Sequence, residues 1–142
     1  MAAMMSHRRD RMRVYSKDTL FAVARLSAGS PIPPWATSSG FWAVTKTADE
    51  LSIICEERAV PMDIATVERG FRLLAVEGPL DFSLTGVMAS IAGPLADVGV
   101  SLFAISTFDT DYIMVRNERL SEAVAALRAG GWEIGFAVGD SE

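Results

Sequence analysis

The sequence predicts an α+β fold: a β-α-β-β-α-β unit, with an antiparallel sheet carrying both helices on one face, preceded by a degenerate copy of itself. Three observations predict it. Phe71–Val115 reads as strand, helix, strand, strand without interruption. A second amphipathic stretch and a final apolar run follow and complete the unit. The hairpin-like segment Phe41–Glu57 lies over Leu102–Glu118 without a gap, class for class.

The chain has 142 residues, half of them hydrophobic, enough for one ordinary domain or two small ones with a real core. Residues 1–13 are a basic head, with Arg8, Arg9, Arg11 and Arg13 against Asp10, and are expected to be disordered. The net charge is −5, so the rest of the chain is more acidic than that average. An acidic body does not suit nucleic acid, which demands a basic footprint. No apolar run approaches a membrane-crossing helix, and the head is not followed by a secretory signal. The single cysteine, Cys55, excludes an internal disulfide and fits a cytoplasmic setting.

Residues 14–70 form the degenerate unit. Thr19–Leu26 is a strand with apolar residues on both faces. Ser27–Gly40 is a Pro- and Gly-rich loop with room for one helical turn at Pro34–Ser38. Phe41–Thr47 and Leu51–Glu56 are strands around the turn Ala48-Asp49. Val60–Gly70 is a linker with a short turn at Asp63–Glu68.

Residues 71–138 form the complete unit. Phe71–Glu77 is a strand, stopped by Gly78-Pro79. Leu84, Val87, Met88, Ile91, Leu95 and Val98 fall on one helical face. Asp81 or Ser83 would cap that helix and Gly99 would stop it, while Pro94 inside it removes a hydrogen bond and kinks it. Ser101–Ser106 and Tyr112–Val115 are strands joined by a polar turn. Asn117 would cap a helix over Glu118–Ala129 whose buried stripe is Leu120, Ala123, Val124 and Leu127, ended by Gly130-Gly131. Trp132–Val138 is the last strand. A single sheet of this kind leaves an open face and open edges, which favours pairing of units.

The segments EGPLDFSLTG and FAISTFDTDYIMV resemble the ACT domain, the regulatory module of aspartate kinases and other amino-acid enzymes, and FWAVTKTADELSIICEE with Val60-Pro61 looks like the amino-terminal half of the same architecture. The likeness is to stand-alone bacterial proteins with paired ACT units, a group to which the animal cytosolic arginine sensor is similar, and it covers roughly Thr19 to Trp132. The resemblance implies a tandem, ferredoxin-like ACT fold and a non-catalytic, cytoplasmic regulatory protein, an allosteric sensor. Its partner would be a small amino-acid effector held between ACT units, and its assembly a homodimer. Carried over residue by residue, the ligand contacts would be Pro79, Leu80, Asp81, Phe82 and Ser83 in the loop to the first helix. Ala104, Ile105, Ser106 and Thr107 on the following strand and Asp109 and Asp111 in the turn would join them.

The chemistry of that loop agrees with the implied ligand. Amide donors at a helix start favour a carboxylate, and Asp81, Asp109 and Asp111 could accept an ammonium. Each residue also has a plainer role. Asp81 and Ser83 are ordinary caps, Asp109 and Asp111 ordinary turn residues, Ser106 and Thr107 cross-hairpin bonding partners, and Phe82 a staple against the helix. A catalytic constellation is not expected, because the lone histidine, His7, sits in the basic head and Cys55 reads as a packed side chain. Nor does the sequence hold metal-ligand spacing or a phosphate- or dinucleotide-binding glycine pattern, so no cofactor is expected. A docking module for a partner enzyme, with a vestigial pocket, is the alternative reading.

Overall fold

A computed structural model describes residues 11–15, 19–77 and 86–136. The strands are β1 (Arg11–Val14), β2 (Phe21–Leu26), β3 (Ala43–Lys46), β4 (Leu51–Glu56), β5 (Val67–Val76), β6 (Phe103–Ser106), β7 (Asp111–Arg116) and β8 (Glu133–Phe136). The helices are α1 (Val87–Asp97) and α2 (Leu120–Ala129), with single 3-10 turns at Pro34–Thr37, Glu57–Ala59 and Asn117–Arg119. The fold class is α+β. The chain forms two compact units, one of residues 19–71 and one of residues 1–18 with 72–142.

In the unit of residues 19–71 the strand order is β3-β4-β2-β5, all antiparallel. β4 alternates as a half-buried strand must: Leu51, Ile53 and Cys55 point inward, with Ala22 and Ala24 of β2 beside them. The 3-10 turn Pro34–Thr37 stands where a helix would, and contributes Ala36 to this core. The cover is therefore thin. Val67–Gly70, expected as linker, is already strand. The register between β2 and β5 shifts between Phe21 and Val23, and Gly70 takes the left-handed φ of +85° there. Only glycine adopts that backbone at little cost, so the bulge lets the strand start four residues early.

In the other unit β1 lies between β5 and β8, antiparallel to β5 and parallel to β8, with Met12 opposite both Val76 and Ile134. β5 also pairs with β7, and β7 with β6. This corrects the basic head: Arg11–Arg13 are strand. The reason is alternation, since Met12 and Val14 are 1% and 0% exposed while Arg11 and Arg13 take the other face. It also corrects the wholly antiparallel sheet, because β1 adds one parallel pair. Residues 137 and 138 of the expected last strand lie outside the described residues.

Both helices of this unit pack on the face formed by Met12, Val14, Leu74, Val76, Ile113, Val115 and Ile134. α1 buries Val87, Ile91 and Leu95, one residue per turn, and α2 buries Ala123, Val124 and Leu127. α1 starts at Val87 after Gly86, whose φ is +80°; Asp81 and Ser83, the expected caps, lie outside the described residues. Val98, placed on the buried stripe by spacing, is 44% exposed because the helix has ended. The Asn117 side chain does not cap α2; its Oδ1 accepts from Nη1 of the buried Arg72 at 3.2 Å. Pro94 cannot donate to the carbonyl of Ser90 four residues back. The indole Nε1 of Trp132 donates to that carbonyl instead, at 3.2 Å. A β-carbon on Gly130 would stand 3.1 Å from Pro94 Cγ, so a side chain there would press on the proline ring.

The hairpin repeat is real, but its register is one residue from the expected one. Ala43 faces Ile54 as Phe103 faces Met114, and the series continues to Lys46–Leu51 and Ser106–Asp111. Thr47 N donates to Glu50 O as Thr107 N donates to Thr110 O. Thr47 therefore corresponds to Thr107, Ile53 to Ile113 and Cys55 to Val115. A slip of one residue exchanges the two faces of a strand, and only this register keeps the buried residues matched.

Candidate functional site

The site grows from the β6–β7 turn. Thr107 N donates to Thr110 O at 2.8 Å, and the Thr107 hydroxyl both accepts from Thr110 N at 3.2 Å and donates to Thr110 O at 3.1 Å. The Thr110 hydroxyl donates to Val76 O at 2.8 Å, fastening the turn to the end of β5. A threonine at each end of the turn thus holds Asp109 in a fixed place, where it is exposed.

Asp109 and Thr110 line a hollow of about 440 Å³ together with Ala75, Val76 and Glu77 from the end of β5. Arg13, Tyr15 and Tyr112 complete it. Glu77 is the last described residue before the segment 78–85. The Arg13 guanidinium stands 3.7 Å from a Glu77 oxygen, both side chains being more than 40% exposed. Such a pair adds little stability, but it sets a cation and an anion side by side at the rim. The rings of Tyr15 and Tyr112 lie 6.4 Å apart and tilted at 51°. Ala75 and Val76, both buried, give the floor an apolar patch. Chemically the hollow suits a small zwitterion, with guanidinium for a carboxylate, carboxylates for an ammonium, and aromatic faces for a side chain.

Of the residues expected to bind ligand, Asp109 lines this hollow. Asp111 does not; its Oδ1 accepts from the Ser106 hydroxyl at 2.7 Å, a cross-hairpin bond. Thr107 closes the turn. Ala104 is exposed and Ile105 half-buried on β6, neither reaching the hollow. Pro79, Leu80, Asp81, Phe82 and Ser83 lie outside the described residues. Among the described residues, the amide donors at the α1 start are those from Gly86 onward. Sequence reasoning missed Arg13, Tyr15, Glu77, Thr110 and Tyr112. The alternation of Met12 and Val14 was the signal for the first two, since it makes residues 11–15 a strand and turns Arg13 and Tyr15 to one face.

Cys55 is buried on β4, in the other unit. Burial, and then the neighbouring charge of Glu56, push its thiol up to about 11, so it stays protonated at neutral pH. That is the opposite of an activated nucleophile. Among the described residues no group of three or more His, Cys, Asp or Glu side chains is placed to hold a metal ion, and no helix is long and apolar enough to cross a membrane.

Comparison with known proteins bears on the fold. A family model described as ACT domain matches residues 66–129, and a second, for an N-terminal domain, matches residues 19–63. The cytosolic arginine sensor for mTORC1 subunit 1 of Rattus norvegicus is 32% identical over 102 residues, 67% of this chain and 31% of that protein. The chain thus spans about a third of the length of the curated relatives it matches. A crystal structure of a protein from Agobacterium tumefaciens is 34% identical, covers 91% of this chain and 94% of its own, and has a TM-score of 0.84. The regulatory subunit of aspartate kinase from Thermus flavus shares the fold at 12% identity, with a TM-score of 0.54 over 80% of this chain and 94% of its own. Residues 66–129 of the chain belong to the ACT-domain family.

Proposed function

We infer that this protein is a non-catalytic, cytoplasmic regulator that binds a free amino acid or a related small metabolite in the hollow at the β6–β7 turn. The observation that carries the reading is the Arg13–Glu77 pair beside Asp109. It offers both charge signs that an amino acid presents, above an apolar floor and next to two phenol rings. The relatives support it in kind: one is named as a cytosolic arginine sensor and another as a regulatory subunit. The family-derived contacts at Pro79–Ser83 belong to the same reading, since they follow Glu77 directly in the chain.

The reading carries a homodimer with it. Among the described strands β6 pairs with β7 alone, and Phe108 beside it is 82% exposed. An apolar sheet edge of this kind is a ready template for a second chain. Sedimentation is expected to give twice the chain mass.

Calorimetry and thermal shift with each of the twenty amino acids test the function. At least one is expected to bind saturably. Asp109→Ala is expected to weaken it about tenfold, the scale of a lost charge-assisted hydrogen bond, with the melting temperature of the free protein unchanged. No response to any amino acid at millimolar concentration would defeat the sensor reading and favour a docking module.

A further inference from the structure

The geometry points to a second binding site in the same unit, for a small oxyanion carrying a carboxylate or a phosphate. It is a hollow of about 490 Å³ where β1 runs beside β8. Three guanidinium groups meet there, from Arg11 and Arg13 on β1 and Arg128 near the end of α2. Glu77 and Glu133 stand among them, and the buried ring of Trp132 forms part of the wall. The proposal does not depend on the amino-acid hollow. Arg11, Arg128, Glu133 and Trp132 do not line that hollow, although Arg13 and Glu77 line both.

The charges are not matched. Among the described residues, three cations face two carboxylates. Arg11 reaches Glu77 at 3.5 Å and Glu133 at 3.4 Å through its single Nε, and Arg13 reaches Glu77 at 3.7 Å through Nη2. None of these is the two-point fork that a guanidinium makes when it is fully engaged by a carboxylate. Both terminal nitrogens of Arg11 therefore have no protein acceptor among the described residues.

One of the three arginines is also held in place. Arg128 is anchored by one Nη, which donates to Ile134 O at 3.1 Å. Arg13 passes beside Gly135, whose lack of a side chain leaves its guanidinium room: a β-carbon there would lie 3.6 Å from Nη1. Guanidinium groups with unused donors around one hollow, one of them anchored, recognise planar or tetrahedral oxyanions, and do so better than lysines because the fork is rigid. The two glutamates lower the net charge and offer acceptors to a hydroxyl or ammonium on the same ligand. A ligand of one to two negative charges fits this balance better than a polyanion.

The test is a titration of ¹⁵N-labelled full-length protein with succinate, and separately with inorganic phosphate, at ionic strength matched with chloride. Saturable shifts are expected at the Gly135 amide and the Trp132 indole. Arg128→Gln is expected to weaken them about tenfold while leaving amino-acid binding at the Asp109 hollow unchanged. Arg11→Gln, on an exposed side chain, is expected to act in the same direction and replaces the first variant if that one loses its circular dichroism. Saturation by succinate alone identifies a carboxylate ligand, and by phosphate alone a phosphate ligand. Shifts that rise linearly with both probes, spread over the surface, or survive the arginine substitutions overturn the site.

Discussion

The two hairpins, β3–β4 and β6–β7, share strand lengths, register and turn bonds, yet the units around them differ in depth. Behind β7 stand two helices and a core of Ile, Leu and Val side chains. Behind β4 stand alanines and a 3-10 turn of four residues. The hairpin is thus the part of the unit that closes locally, through Thr47 or Thr107. The helices are the part that supplies apolar area, and one copy does without them.

That contrast is tested first in the core. Ile53 and Ile113 occupy the same hairpin position and both are 0% exposed. Ile113→Ala is expected to destabilise by about 4 kcal/mol and Ile53→Ala by about 2, because a cover without long helices collapses more readily onto the gap. Denaturant midpoints measure both. Equal losses would mean that the thin cover is as rigid as the thick one.

A second test swaps a residue between copies. Cys55 stands where the other hairpin has Val115. Its thiol titrates from 9.0 when unfolded to about 11 when folded, so the folded form favours the neutral thiol. The stabilisation is complete below pH 9 and disappears as pH rises through 11. Wild type is expected to lose about 2 kcal/mol more than Cys55→Val over that window, read as the difference between two stability-against-pH curves. Parallel curves would remove the buried thiol from the account.

The smallest effect sharpens the register. Thr47→Val and Thr107→Val are each expected to cost about 0.5–1 kcal/mol, as exposed turn hydroxyls do, and to match within a few tenths. Thermal unfolding measures both. A large mismatch would break the equivalence of the two turns.

Much of this was legible in the sequence, for reasons that can be named. Leu51–Glu56 alternates cleanly, and α2 carries its stripe and its terminal glycines. Both depend on neighbours along the chain. β1 was obscured because four arginines outweighed Met12 and Val14, and because its partners lie far along the chain. The repeat was misplaced by one residue because Ala43 over Ala104 is an attractive identity, whereas backbone turn bonds set the true register and leave no letter in the sequence. At the site, Asp109 was legible as a turn acid. Arg13, Tyr15 and Tyr112 come together only through strand pairing, which composition does not encode.

The bond from Trp132 to Ser90 has a consequence for the order in which the chain is made. Pro94 leaves the mid-helix carbonyl of Ser90 bare, and the group that satisfies it is synthesised 42 residues after that carbonyl. A nascent chain that has not yet reached Trp132 holds α1 with that oxygen turned to water, so the helix cannot settle until the carboxyl end arrives. Truncation ahead of Trp132 would therefore be felt in the middle of α1, far along the sequence from the cut.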